Sequence, residues 1–170
     1  MPRLAIVTPA GRLILEEQEE ALTRITYAGA PAALEEGGEQ TPLLAETRRQ
    51  LEAYFSGRLR VFDLPLRAEG TAFQQAVWRQ LCAVPFGGLM TYGGIAHRLG
   101  RAGAARAVGM ACHVNPIMIV VPCHRIVGAD GNLTGYAPGL EVKRFLLRLE
   151  GSLPQAERRR AQMVPHLVCP

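Results

Sequence analysis

Cysteine is missing from the first 81 residues of this 170-residue chain, and Cys82, Cys112, Cys123 and Cys169 follow at irregular spacing. That distribution is a poor match to a secreted disulfide framework, so reduced thiols are expected. The usual two-residue gaps between zinc ligands are also missing around Cys112, His113, Cys123 and His124, and adjacent residues seldom aim at one ion. No metal and no cofactor is expected. Lysine is nearly absent: of 19 basic residues only Lys143 is a lysine, so almost all the positive charge sits on arginine, a planar donor suited to phosphates and bases. Genome composition bias explains that pattern equally well. Long hydrophobic runs are absent too. No stretch approaches the roughly 20 apolar residues that span a bilayer, and Met1 to Thr8 lacks a basic start followed by a long apolar core. A soluble, cytoplasmic protein without membrane contact is the expectation. There is no internal repeat and no low-complexity run.

What remains is a chain able to fold. Its hydrophobic content of 48% is ample for one ordinary domain or two small ones, and its formal net charge of +4 suits a polyanionic partner without requiring one. Leu4 to Thr8, a Pro9-Ala10-Gly11 turn, Leu13 to Glu17 and Leu22 to Ala28 read as an antiparallel sheet. After a connection from Gly29 to Gln40, Pro42 opens an amphipathic helix with Leu43, Leu44, Thr47, Leu51, Tyr54 and Phe55 at helical intervals, closed by Gly57. Leu59 to Leu66 reads as a returning edge strand limited by Pro65. The polar stretch Arg67 to Gly70 then marks a boundary, giving an α+β organisation: an N-terminal module over 1–67, a mainly helical second module over 71–151, and a tail over 152–170.

In the second module Thr71 can cap a helix carrying Phe73, Val77, Trp78 and Leu81, ended by Pro85 to Gly88. Two short helices, Tyr92 to Leu99 and Gly103 to Val114, meet at Gly100 with helix-turn-helix spacing, and Leu140 to Leu149 forms the last clear helix. The tail carries Arg158-Arg159-Arg160, most simply a solvated charge run.

The chemistry concentrates where the apolar run Ile117 to Val121, read as a core strand, ends in Pro122-Cys123-His124-Arg125. A thiol flanked by an imidazole and a guanidinium, both able to favour thiolate, is a candidate nucleophile. His124 can take its proton directly or through water, and a carboxylate can orient the imidazole; Glu150, at the end of the last helix, is the choice. A structural thiol beside a chance histidine is the competing reading. The helix over Gly103 to Val114 is smooth, with Ala104, Ala105, Ala107, Gly109 and Ala111 leaving Arg106 as its prominent long charge. Such a surface can enter a groove, or can pack through its alanines against neighbouring helices. Tyr92 is either a DNA contact or a packing anchor, Asn115 before Pro116 is placed to brace a turn, and Tyr136 sits in a loop that can close a pocket over a planar base.

Taken together, Thr91-Tyr92 with Ile95-Ala96, Arg106-Ala107-Val108-Gly109, Asn115-Pro116, Ile119 through Arg125, and Gly135-Tyr136 closely resemble the O6-alkylguanine-DNA alkyltransferase family. The strong match runs from about Phe73 to Gly151. The N-terminal module resembles that family's variable, RNase H-like domain in layout. The resemblance implies single-use, irreversible transfer of an alkyl group to Cys123 from O6-alkylguanine, with O4-alkylthymine as a further substrate, in double-stranded DNA bound by a monomer through the minor groove. It implies a water-mediated proton relay through His124, oriented by Glu150, and an active-site turn braced by Asn115. Tyr92 and Arg106 would rotate the nucleotide out and hold its place, and Tyr92 would also serve as proton donor. Ala105 and Gly109 would lie against DNA, and Met118, Val121, Tyr136, Ala137 and Pro138 would line the substrate pocket. Met118 stands where many relatives have proline, and Pro138 where glycine is common. A non-catalytic binder of alkylated DNA is the main alternative; a thiol hydrolase would leave the smooth helix unexplained and lacks a recognisable oxyanion motif.

Overall fold

The computed structural model describes residues 1–29 and 36–163. Three strands, β1 (Arg3–Thr8), β2 (Gly11–Gln18) and β3 (Ala21–Tyr27), form the antiparallel meander expected from their alternation, and on β2 the residues Leu13, Leu15 and Glu17 turn inward. Gly11 closes the first hairpin at φ +133°, where an added Cβ would lie 2.4 Å from the Tyr27 ring. The second hairpin places Glu19 and Glu20 at positive φ, the twist that a two-residue loop between antiparallel strands requires. A fourth strand, β4 (Gly37–Gly38), pairs with β1 inside what reads from sequence as plain connection, giving the order β3-β2-β1-β4.

Helix α1 (Pro42–Phe55) covers one face of the sheet with Leu44, Thr47, Leu51 and Tyr54. Its cap, Thr41, accepts from the Leu44 amide and donates to the buried carboxylate of Glu17, so the same residue starts the helix and ties it to β2.

Leu59 to Leu66 does not form the expected edge strand. Only Leu66 bridges to Leu22, with the Leu22 amide donating to the Pro65 carbonyl. Proline removes one ladder donor, and the Gln50 side chain satisfies both backbone groups of Asp63 at 2.8 and 2.9 Å in place of a strand partner.

Helix α2 (Ala72–Cys82) opens with a full capping box between Thr71 and Gln74, and its buried Trp78 donates 2.9 Å to the Ala111 carbonyl. That bond fixes α2 against α4 (Ala105–His113), which follows α3 (Tyr92–Arg98) in the expected helix-turn-helix arrangement. A short parallel pair, β5 (Met90–Thr91) with β6 (Ile126–Val127), joins the start of α3 to the chain just after Arg125. Helix α5 (Leu140–Leu149) carries Glu150 as its C-terminal cap residue.

The tail contains a further helix, α6 (Gln155–Met163), held to α5 by Arg144 donating 2.9 Å to the buried Glu157. The arginine run is therefore partly structural, since Arg158 donates to the Leu153 carbonyl. Cys169 lies outside the described residues. Among those residues no helix is long and apolar enough to cross a membrane. One apolar cluster runs through both modules, from Leu4 and Leu51 to Trp78, Ile117 and Leu146, so the sheet and the helices share a core.

Candidate active site

The site begins with a turn where the sequence pattern predicts a strand. Ile117 to Val121 are all buried, but the Val121 amide donates to the Ile117 carbonyl and the chain folds back on itself. Ile119 adopts φ +72°, a left-handed conformation that costs a β-branched residue about 1–3 kcal/mol. Asn115 holds the turn closed: its Oδ1 accepts from the Ile117 amide at 3.0 Å and its Nδ2 donates to the Val121 carbonyl at 2.8 Å. The same Nδ2 lies 3.1 Å from Sγ of Cys123, so the bracing residue also touches the thiol. The whole segment is docked on the N-terminal sheet, because the Ile25 amide of β3 donates to the Pro116 carbonyl and Ile25 bridges to Ile117.

Cys123 opens a single 3₁₀ turn through Arg125 and is 5% exposed. Burial pushes its thiol up, while the Asn115 amide and the positive charge of Lys143 pull the other way without winning. The free protein therefore holds a neutral thiol rather than the thiolate suggested by its flanking residues. Arg125, expected to favour thiolate, points elsewhere. Its Nε and Nη2 donate to the two oxygens of Glu150 at 2.9 and 3.0 Å, and its Nη1 donates to the Val84 carbonyl at 2.6 Å.

Glu150 meets His124 as expected, with Oε1 2.7 Å from Nε2. It also accepts from the Tyr54 hydroxyl at 2.7 Å, a contact from α1 across 96 positions of sequence. Burial raises the carboxyl, but the bonds from His124 and Arg125 outweigh it and hold the group at about 2. With Glu150 ionised at neutral pH, His124 carries its proton on Nε2. Its Nδ1 has no hydrogen-bond partner among the described residues. Burial keeps the imidazole neutral despite the carboxylate, leaving Nδ1 as an acceptor for one more proton.

Lys143, the lone lysine, has a place in the site that the sequence pattern does not assign. Its side chain is fully buried on α5, and Nζ donates to the carbonyls of Ile126 at 2.5 Å and Thr134 at 3.2 Å. Burial lowers it to about 8, opposed by Cys123 and Cys112. Tyr92 donates to the same Thr134 carbonyl at 3.0 Å, and its ring centroid lies 5.8 Å from Lys143 Nζ, so the two residues hold the 126–139 loop over the thiol. The signal available in the sequence was the lone lysine on an otherwise apolar face, between Val142 and Leu146. For Tyr54 it was a tyrosine on a buried helix face, where a hydroxyl needs a partner.

Cys123 opens onto a cavity of about 380 Å³ that Met118, Tyr136, Ala137 and Pro138 also line, together with Cys112 and Asn115 and with Arg24 to Tyr27 of β3. Val121 is not among the lining residues; it borders a separate groove with Leu66 and Trp78. The Tyr136 hydroxyl is buried without a partner among the described residues, and burial keeps it protonated. Beside the cavity, α4 buries Val108 and Ala111 and exposes Arg106 and Ala107, with Ala105 and Gly109 half-buried. The geometry thus joins a protected thiol, a proton acceptor within the same buried cluster, and a pocket open to solvent next to a smooth cationic helix.

Residues 5–68 match the family model for the ribonuclease-like domain of 6-O-methylguanine DNA methyltransferase, and residues 72–152 match the model for its DNA binding domain. A methylated-DNA--protein-cysteine methyltransferase of Methanosarcina acetivorans is 47% identical over 148 residues, which cover 85% of this chain and 95% of that one. The protein of the same name from Haemophilus influenzae is 44% identical over 147 residues, covering 84% and 82%. Among solved structures, Mycobacterium tuberculosis OGT in complex with DNA aligns with a TM-score of 0.77 at 42% identity, over 91% of this chain and 95% of that one.

Proposed function

The chain belongs to the 6-O-methylguanine DNA methyltransferase family, and on that premise we propose that it repairs DNA by moving an alkyl group from O6 of guanine to Cys123, once per molecule. The observation that carries this reading is the Cys123 thiol facing the cavity, with the Asn115 amide 3.1 Å from Sγ and the His124–Glu150 pair buried behind it.

In the reaction, Sγ forms a bond to the alkyl carbon as the carbon–O6 bond breaks, and the bonding pair returns to guanine. The thiol proton passes through water to Nδ1 of His124, while Nε2–H stays on Glu150. Generating the thiolate only when substrate fills the pocket suits a thiol that burial keeps neutral at rest. The Asn115 donor and the charge of Lys143 favour the sulfur anion at that moment. Guanine departs after accepting a proton, for which Tyr92, kept protonated by burial, stands beside the pocket.

Within a duplex O6 lies on the major-groove edge, out of reach of a thiol recessed in a pocket and approached from the minor groove, so the nucleotide must leave the stack at a cost of a few kcal/mol, less for a poorly paired lesion. Helix α4 enters the minor groove, where Ala105 and Gly109 permit close approach, and Arg106 fills the vacancy. Met118 and Pro138 shape the space for the alkyl group.

The test is incubation with a duplex carrying O6-methylguanine, followed by peptide mass spectrometry. A methyl group on Cys123 supports the transferase. Specific binding of the lesion without transfer would replace it with a non-catalytic recogniser of alkylated DNA.

A further inference from the structure

Met110 is the most exposed large apolar side chain of the helical module, at 63%, and it stands one helical turn beyond Arg106 on the same face of α4. A single exposed apolar side chain is ordinary on a protein surface, and it is the continuation of Met110 into a line along one helix face that points to a partner. Val114, one further turn along, is 45% exposed, so Arg106, Met110 and Val114 form a line at four-residue intervals.

The surroundings identify the occupant of this line. Helix α4 contains no acidic residue, carries Arg106 near its start and ends with the exposed His113. The face is therefore cationic at Arg106 and apolar over Met110 and Val114, with no negative charge, which fits a polyanion whose interior is a stack of flat apolar surfaces. Methionine is among the side chains that wedge between base steps from the minor groove, and its flexible, polarizable thioether adapts to whichever bases it meets.

Building on the function proposed above, we propose that Met110 is a second wedge: while Arg106 occupies the place of the extruded nucleotide, Met110 presses into a base step one or two pairs away and loosens the stack there. The spacing supports this, since one helical turn advances about 5.4 Å and base pairs stack every 3.4 Å or so. The wedge lowers the cost of extrusion by opening the duplex next to the lesion, and it gives the helix a register along the groove that a single arginine does not supply.

The experiment compares the full-length protein with Met110→Ala and Met110→Leu in three measurements: the rate of Cys123 alkylation by a duplex carrying O6-methylguanine, the rate with free O6-benzylguanine, and the fluorescence of 2-aminopurine placed one and two pairs from the lesion. Met110→Ala is expected to slow the duplex reaction several-fold, to reduce the 2-aminopurine enhancement, and to leave the free-base reaction unchanged. Met110→Leu should restore most of the duplex rate. The slope of log affinity against log salt should be the same for all three proteins, because an apolar wedge releases no counterions. Unchanged duplex rate and fluorescence in Met110→Ala would overturn the wedge. So would a changed salt slope, which would make Met110 an adjunct of phosphate contacts. Failure of the parent protein to alkylate Cys123 with either substrate would instead overturn the transferase reading on which the wedge rests.

Discussion

Glu150 and Arg106 stand at opposite extremes of this molecule. Glu150 is 5% exposed and accepts from the Tyr54 hydroxyl, the His124 ring and two nitrogens of Arg125, while Arg106 projects from an exposed helix face set among alanine, glycine and Met110. Around Glu150 the charge is matched and the donors converge from two distant parts of the chain, Tyr54 of α1 and His124 and Arg125 of the Cys123 turn, on a carboxylate at the end of α5. Such a cluster has one arrangement, and it keeps an imidazole in one tautomer. On α4 surface is left free, and on the proposed reading DNA supplies the contacts there. On that reading the chemistry is preorganised inside and the recognition is left open outside, which separates the two kinds of mutation.

The largest expected effect on the buried side is Cys123→Ser. Transfer to residue 123 should fall below detection, while affinity for duplex DNA stays within about twofold, because the sulfur touches only the pocket; equal loss of both would break the separation. Next comes Glu150→Gln. Removing the negative charge leaves Arg125 buried without its partner, a class of change that costs about 3–5 kcal/mol, and denaturant unfolding at neutral pH should show it.

The same carboxylate sets an acid limit. Its pKa falls from the ordinary 4.5 to about 2 in the folded protein, so its contribution is fully present above pH 4.5 and is lost as pH falls toward 2. In that window the unfolded chain binds more protons, and the stability of the parent protein should decline more steeply than that of Glu150→Gln. Parallel curves would place the acid sensitivity elsewhere.

Arg106→Ala should act on the other region alone, slowing reaction with lesion-bearing duplex by roughly tenfold or more, in line with a few kcal/mol of extrusion cost. Reaction with the free alkylated base should be untouched. A loss in both assays would mean that α4 supports the pocket as well as the groove. The smallest effect is assigned to Lys143→Met. The charge at Lys143 favours the Cys123 thiolate, so its removal should raise the thiol pKa and move the pH profile of iodoacetamide labelling to higher pH. An unmoved profile would limit Lys143 to holding the carbonyls of Ile126 and Thr134.

This division also governs what could be read from sequence. The strands of the meander, α1, the capped α2 and the helix pair announce themselves because alternation, helical spacing and caps are local. Cys123, His124 and Asn115 cluster within ten positions, and their side-chain chemistry is legible in place. The rest depends on partners far along the chain. Ile117 to Val121 has the composition of a strand, yet the Asn115 amide and the edge of β3 bend it into a turn. Tyr54 lies 96 positions from Glu150, and Arg125 is drawn from the thiol by the same carboxylate. Strand β4 and the β5–β6 pair are two residues long and exist only through their neighbours. Helix α6 depends on Arg144 meeting Glu157, which no periodicity in the tail reveals.

On the proposed reading Cys123 is a single-use acceptor served by the buried His124–Glu150 pair. Intact-mass measurement of the protein against a large excess of duplex carrying O6-methylguanine tests it most directly. The expected result is a plateau at one methyl group per chain, located on Cys123, with one lesion repaired for each protein molecule consumed. Repair that continues beyond one lesion per chain, or methyl groups found on another residue while Cys123 stays free, would contradict it.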